Sequence, residues 1–153
     1  MFLQAVDEYI GTLSKNVRSG HGSIKMSNGD VYKGAFKNDK RHGTGVCQFA
    51  SGALFKGEWR DDKPNGNGIL YSGGSEIIEC KFEKGMLPQG PTRMKIVLAD
   101  GSYYEGSYSN HRRHGNGICY YPNGDIYDGP WADDKRAGRG KMRFFDNAGN
   151  FTY

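Results

Sequence analysis

The sequence predicts an all-β protein: an elongated antiparallel β-hairpin solenoid, a single twisted meander sheet of about six repeats. The first observation is a period of 23 residues. The second is the opening of the clearest repeats, which reads aromatic-x-Gly-x-aromatic, and the third is a Gly-x-Gly pair that follows at a fixed distance. A fixed period of this kind marks a stack of one supersecondary unit. We number the repeats from their first residues: Tyr9, Tyr32, Phe55, Ile78, Tyr104 and Tyr127.

Composition agrees with this class. The chain has 153 residues, a formal net charge of +4 and 24 glycines, which suits short strands and tight turns rather than helices. No apolar run approaches the roughly 18 residues of a membrane span, and the first residues lack the features of a signal peptide. The cysteines Cys47, Cys80 and Cys119 are odd in number and have no paired spacing, so we expect free thiols in a cytoplasmic protein.

The second repeat predicts how each unit folds. Polar and apolar residues alternate from Tyr32 to Lys37, as in a strand, and the polar stretch 38–43 is expected to be a loop. A second strand follows at 45–49, and Asn-Gly pairs such as Asn28-Gly29 are expected to turn the chain into the next hairpin. Pairing Tyr32 with Phe49 would set Phe36 opposite Gly45, so we expect a large ring over a glycine.

The residues that carry these features match a known family. Both His42-Gly43-Thr44-Gly45 and His114-Gly115-Asn116-Gly117 follow an aromatic-x-Gly-x-aromatic opening and a charged stretch. This pattern resembles the MORN repeat (membrane occupation and recognition nexus), over residues 9–153, with residues 1–8 left as an N-terminal cap. The resemblance implies a β-hairpin solenoid whose repeats are not catalytic. Relatives occur in junctional membrane proteins, ciliary radial spokes and cytoskeletal scaffolds, and beside the catalytic domains of phosphoinositide kinases and a histone lysine methyltransferase.

Two segments depart from the pattern. The fourth repeat has Ile78 in place of the first ring, Cys80 in place of the glycine, and Pro88 and Pro91 near the missing His-Gly-x-Gly element. We therefore expect looser pairing and a longer loop at 85–95. At the C-terminus, Phe151-Thr152-Tyr153 is expected to open a further repeat. We expect the sheet edge exposed there to be covered, either by further repeats or by a second copy in an end-to-end homodimer.

Aromatic side chains are the first candidate binding residues. They form the core of the predicted sheet, and since a single layer cannot enclose every ring, part of them is expected to line a groove for a partner peptide or helix. The predicted groove consists of Tyr32, Phe36, Phe55, Trp59, Tyr104, Tyr108, Tyr127 and Trp131.

Basic side chains are the second candidate. They recur at one place in their repeats and are expected to lie along one edge, where they serve either as solvated loop tips or as a contact for anionic lipid headgroups or an acidic partner. The predicted edge consists of Lys40, Arg41, His42, Arg112, Arg113, His114, Lys135 and Arg136.

The sequence favours binding over catalysis. The Gly-x-Gly pairs precede no predicted helix, no metal-ligand spacing is visible, and the basic residues match no nucleic-acid-binding module, so we predict no catalytic residues, metal, cofactor or nucleic-acid partner. Secreted carbohydrate- or choline-binding repeats differ in aromatic spacing. We expect a cytoplasmic, non-catalytic scaffold or adaptor for a protein partner, in a cytoskeletal, ciliary or membrane-associated assembly. The alternatives are a phosphoinositide- or anionic-membrane-binding module and the targeting domain of a larger enzyme.

Overall fold

This computed structural model describes residues 6–74, 76–87, 92–146 and 148–152, which form only strands, turns and short connections. The strands are β1 Glu8–Ser14, β2 Val17–Lys25, β3 Val31–Lys37, β4 Lys40–Gln48, β5 Leu54–Arg60, β6 Lys63–Tyr71, β7 Ile77–Phe82, β8 Thr92–Val97, β9 Tyr103–Ser109, β10 Arg112–Tyr120, β11 Ile126–Ala132, β12 Lys135–Arg136, β13 Lys141–Phe145 and β14 Phe151–Thr152.

The described residues fall into two compact bodies. The first body holds residues up to 73 together with 81–87, and the second holds 74, 76–80 and the described residues from 92 onward. In the first body, β1 to β6 pair in chain order, each antiparallel to the next. In the second body, the beginning of β7 pairs with β8. The strands β8, β9, β10, β11, β13 and β14 then pair in that order, and β12 also pairs with β11. The all-β class and the antiparallel meander of hairpin repeats are confirmed.

Two-residue turns close the hairpins. In the second repeat, Asn38 and Asp39 have φ values of 48° and 69°, and β4 begins at the next residue. Two successive positive φ angles define the type I′ turn, whose twist matches that of the flanking strands. The predicted loop over 38–43 was therefore wrong, because only two of its residues turn the chain and Lys40–Gly43 belong to β4.

The predicted register was wrong by two residues. Tyr32 pairs with Cys47 instead of Phe49, and Gly34 faces Gly45. The short turn sets the register of the hairpin, and an irregularity between Gly34 and Phe36 then shifts it. The fifth and sixth repeats show the same displacement, since Tyr104 pairs with Cys119 and Tyr127 with Met142.

A ring does lie over the glycines, but it is the first ring of the repeat. A Cβ built on Gly45 would collide with the ring of Tyr32, and one built on Gly34 would collide with the Gly45 backbone. The second ring lies across the junction between repeats, where Phe36 pairs with Gly20 and Trp59 with Gly43. The facing glycines of each hairpin therefore make room for the first ring, and the second ring connects consecutive repeats.

Five-residue turns join one hairpin to the next. At 26–30, the predicted Asn-Gly turn is present, with Gly29 at φ 96° and its N–H donating to the Met26 carbonyl at 3.0 Å. The carboxylate of Asp30 then accepts from the Ala50 N–H at 2.9 Å, and Asp125 does the same for Phe145. Each of these two aspartates ties its own turn to the end of the following hairpin.

The departing segments are structured where they are described. In the fourth repeat, β8 pairs with both β7 and β9, and Ile78 faces Ile96, so an aliphatic pair replaces the ring. Residues 88–91, with both prolines of the predicted loose loop, lie outside the described residues, as do residues 1–5 of the predicted cap. At the C-terminus, β14 pairs with β13.

Candidate functional site: the two faces of the sheet

One face of each body, the ring face, carries a chain of edge-to-face aromatic contacts. In the first body, Tyr32 contacts Phe36 and Trp59 with ring centroids 5.2 and 5.1 Å apart, and the contacts continue to Tyr9 at one end and to Phe82 at the other. In the second body, Trp131 contacts Tyr104 and Tyr127 at 5.6 and 5.2 Å. Such geometry adds about 0.5–1.5 kcal/mol per pair beyond the burial of the rings.

The rings of the predicted groove form the core. Tyr108 is half-buried, and the other predicted rings are no more than 6% exposed: Tyr32, Phe36, Phe55, Trp59, Tyr104, Tyr127 and Trp131. Neighbouring rings and glycine backbones cover them, so the structure assigns them to the packing of the sheet. Direct contact with a partner stays a prediction for these residues.

The first ring of a repeat also forms a hydrogen bond that fixes its orientation. The Tyr32 hydroxyl donates to the Ala35 carbonyl at 2.8 Å, and Tyr127 does the same to Pro130 at 2.9 Å. Burial raises the pKa of Tyr32 to about 12, and that of Tyr104 likewise. These phenols therefore keep their protons at physiological pH. They donate to backbone carbonyls next to the glycines, where the register of the strands shifts.

An arginine and an aspartate form a repeated link between consecutive hairpins, here called the Arg–Asp clamp. The Arg113 backbone N–H and Nε donate to one Asp134 carboxylate oxygen at 2.8 and 3.0 Å, and Nη2 donates to the Asp134 carbonyl at 2.9 Å. The same guanidinium lies 4.2 Å from the centroid of the Trp131 ring. Corresponding clamps join Arg18 to Asp39 and Arg41 to Asp62.

The clamp gives two residues of the predicted basic edge a structural role. The side chains of Arg41 and Arg113 are only 14% and 16% exposed, and each donates to an aspartate of the next repeat. Arg112 and His42 lie near Asp133 and Asp61 at 3.8 and 4.0 Å. Arg136 lies over the Tyr127 ring at 5.7 Å, and Lys40, His114 and Lys135 are exposed. The structure thus divides the predicted edge into clamp residues and exposed residues, and anion binding there stays a prediction.

The clamp should contribute more stability than the ion pair beside it. In a double-mutant cycle of Arg113→Ala and Asp134→Gly, we expect a coupling of about 1.5 kcal/mol in the free energy of unfolding, because the pair makes charge-assisted hydrogen bonds. Glycine preserves the positive φ of 68° at this turn position. The measurement is urea unfolding of the four proteins.

The matched control is the neighbouring pair Arg112 and Asp133. It is 3.8 Å apart with side chains 59% and 75% exposed, so the same cycle should give less than about 0.5 kcal/mol. Equal coupling in the two cycles would show that the clamp geometry contributes nothing beyond ordinary surface charge.

All three thiols are buried and free. Burial raises the pKa of Cys47 and Cys119, although the guanidinium of Arg41 or Arg113 beside each thiol acts in the opposite direction. Burial also raises the pKa of Cys80 to about 11. The thiols therefore stay protonated and pack as small apolar groups.

The opposite face, the open face, carries apolar side chains that face solvent. In the second body, cross-strand pairing aligns one row over five strands, from Ile77 through Val97, Tyr103 and Tyr120 to Ile126. At about 4.8 Å per strand, this open-face row spans roughly 20 Å. Tyr120 is 39% exposed and the other four side chains are half-buried.

Two tyrosines are the centre of the open-face row. Tyr103 and Tyr120 are directly paired, with centroids 5.7 Å apart and ring planes tilted by 38°. Beside them runs a row of mixed charge that includes Glu105 and Asp128. In the first body, polar residues interrupt the corresponding row, with Gln48 between Val31 and Leu54. The longer apolar surface thus belongs to the second body.

Sequence reasoning missed this row and the acidic half of the clamp. A signal for the row was available, because the residue before each repeat's first residue is apolar from the second repeat onward: Val31, Leu54, Ile77, Tyr103 and Ile126. Strand alternation places these residues opposite the rings. The clamp aspartates likewise recur in register at positions 39, 62 and 134.

Among the described residues, no group of three or more His, Cys, Asp or Glu side chains is placed to hold a metal ion. Within those ranges there is also no helix long and apolar enough to cross a membrane.

Comparison with known proteins places the repeats in a family. The model of the MORN repeat matches residues 9–31, 32–54, 55–76, 104–126 and 127–148. The segment between the third and fourth matches contains β7 and β8, where aliphatic residues replace the rings. No curated protein sequence matches the chain.

The chain also resembles solved structures. One is the SAS-4 (dCPAP) TCP domain of Drosophila melanogaster in complex with a proline-rich motif of Ana2 (dSTIL), with a TM-score of 0.51, 12% identity, and coverage of 87% of this chain and 70% of that one. The other is the TCP10 domain of Danio rerio CPAP in complex with a STIL peptide, with a TM-score of 0.29, 15% identity, and coverage of 88% and 82%. At 12% identity the likeness to the Drosophila domain concerns the fold alone.

Proposed function

Since this chain belongs to the MORN repeat family, we propose that it is a non-catalytic protein-interaction module that binds an extended segment of a partner on its open face. The observation that carries the proposal is the open-face row, in which five apolar side chains align on a solvent-facing surface. A continuous row of partly exposed apolar side chains is a typical place for a partner to bind. The proposed setting is a cytoplasmic assembly of cytoskeletal, ciliary or membrane-associated type, as for proteins in which such repeats occur.

A proline-containing segment fits the chemistry of this surface. Tilted tyrosine rings that present part of their faces to solvent are the typical contact for a polyproline II segment, whose backbone is already extended and loses little entropy on binding. Tyr103 and Tyr120 supply such a pair, and their hydroxyls add polar contacts. The Drosophila TCP domain of related fold is in complex with a proline-rich motif, which supports this class of partner.

The experiment is selection of peptides from a displayed library on the whole chain, followed by affinity measurement for the selected peptides. We expect proline-containing sequences to be enriched and the double variant Tyr103→Ser/Tyr120→Ser to bind them about tenfold more weakly or worse, because ring contacts dominate such interfaces. Thermal unfolding of the variant should show that the sheet is intact.

The matched control is Tyr71→Ser. Tyr71 lies on the open face of the first body and is 40% exposed, against 39% for Tyr120, so its loss should leave peptide affinity unchanged. Equal binding by both variants would contradict the proposed surface. Flotation with vesicles containing phosphatidylinositol bisphosphate tests the membrane alternative, which would require binding that falls steeply with salt.

A further inference from the structure

The strand β1 is an edge without the usual protection against pairing. In the described part of the chain, β1 pairs only with β2. Its sequence carries one charge, at Glu8, followed by six uncharged residues. Ile10 and Leu13 are 82% and 57% exposed. Soluble proteins normally protect an edge strand with lysine, proline or extreme shortness, so an uncharged seven-residue edge indicates a surface that is covered by another strand.

The strands at the other end of the array have the opposite character. The segment from β12 to β13 carries five basic residues and no acidic residue: Lys135, Arg136, Arg139, Lys141 and Arg143. Two copies of this basic segment would repel each other. A homodimer that pairs the two copies through β13, the strand before the short strand β14, is therefore disfavoured.

The Arg–Asp clamp argues against joining the two ends head to tail. Each clamp needs an aspartate at the second turn position and a ring three residues before it, as in Asp134 and Trp131. At the corresponding positions of the first repeat, the chain has Asn16 and Leu13. Arg136 of one copy would thus meet neither a carboxylate nor a ring on β1 of the next copy, and a clamp could not form.

We propose that β1 pairs with β1 of a second copy, antiparallel and around a twofold axis, so that the two chains form a symmetric dimer. A contact between identical strands is self-complementary, as expected for an isologous interface. Centring the axis on Gly11 pairs all seven residues of β1. The register then sets Tyr9 opposite Leu13 and Ile10 opposite Thr12, on opposite faces of the sheet.

This register also avoids like charges. Glu8 faces Ser14 of the second copy, because the strand's single charged residue lies at its end, away from the axis. The apolar side chain of Leu13 of the second copy then covers the Tyr9 ring. Pairing therefore satisfies the free backbone edge and covers the most exposed apolar side chains of the first hairpin.

Cysteine cross-linking tests the register directly. Ile10→Cys and Thr12→Cys are prepared as separate single variants, both at exposed positions, and oxidised alone or after mixing. A disulfide between positions 10 and 12 requires their Cα atoms to lie within about 7 Å, which only the mixed sample satisfies. We expect at least about tenfold more cross-linked dimer in the mixture than in either single variant. The matched control mixes Lys141→Cys with Arg143→Cys, which have the same spacing in the basic strand β13 and should not cross-link.

Sedimentation of the unmodified chain over a concentration series gives the second readout. We expect the mass of a dimer at high concentration, and an increase of about tenfold or more in the dissociation constant for Ile10→Lys/Thr12→Lys, which sets lysines opposite each other. A monomer at every concentration would overturn the proposal. So would equal cross-linking by the mixed and single samples, or by the control pair in β13. The test is independent of peptide binding, which concerns the open-face row of the second body.

Discussion

Replacing Trp59 with alanine is expected to lower the free energy of unfolding by about 4 kcal/mol, as for large aromatic residues removed from a protein core. Trp59 is 3% exposed and its ring contacts those of Tyr32 and Phe55. The Arg41 guanidinium lies 4.7 Å from its centroid, and its indole N–H donates to the Gly45 carbonyl at 3.2 Å. One side chain thus holds together two consecutive hairpins, and its removal leaves a cavity and breaks the hydrogen bond to the Gly45 carbonyl.

Two further variants separate these contributions in urea unfolding. Trp59→Phe keeps most of the ring contacts but loses the indole N–H, so it should cost about 1–2 kcal/mol. Tyr71→Ala removes an aromatic ring that is 40% exposed and should cost less than about 0.5 kcal/mol. A loss at Trp59→Ala no greater than at Tyr71→Ala would contradict the assignment of the rings to the core.

Replacing Gly45 with alanine is expected to cost about 3 kcal/mol for steric reasons alone. The Cβ would enter the ring of Tyr32, which is buried and fixed by its hydrogen bond to the Ala35 carbonyl. The φ angle of Gly45 is not in the left-handed region, so an alanine there has no backbone strain. The decrease in the free energy of unfolding would therefore report how much the Tyr32 ring needs the space that the glycine leaves.

Two other glycines provide the controls. Gly52 has φ 94° and no heavy atom within 4 Å of a built Cβ, so Gly52→Ala should show only backbone strain, about 1 kcal/mol. Gly74 has equal space and no positive φ, so Gly74→Ala should be neutral. If alanine at position 45 costs no more than at position 74, the ring does not need the glycine.

The predicted partner groove illustrates what a residue pattern leaves open. The sequence identified the rings as core and as candidate binding residues at once, because a period shows which residues are equivalent but not how deeply each is covered. Coverage comes from a neighbouring repeat. Trp131 is buried by Tyr104, by Arg113 and by its own repeat, and only the folded pairing of strands brings these groups together.

The sequence by itself determined the fold class, the number of hairpins and the family. The same residue types recur at the same positions of several repeats, so each repeat supports the interpretation of the others. Glycine and aromatic positions recur in register, so the strand faces followed from alternation alone. The tertiary structure decided the register. A two-residue turn and an irregularity between Gly34 and Phe36 set which residues pair, and the polar composition of residues 38–43 does not show where the turn lies. The tertiary structure also decided which arginines are available, because Arg41 and Arg113 find their aspartates 21 residues away, and which tyrosines face solvent, because Tyr103 and Tyr120 meet only when β9 pairs with β10.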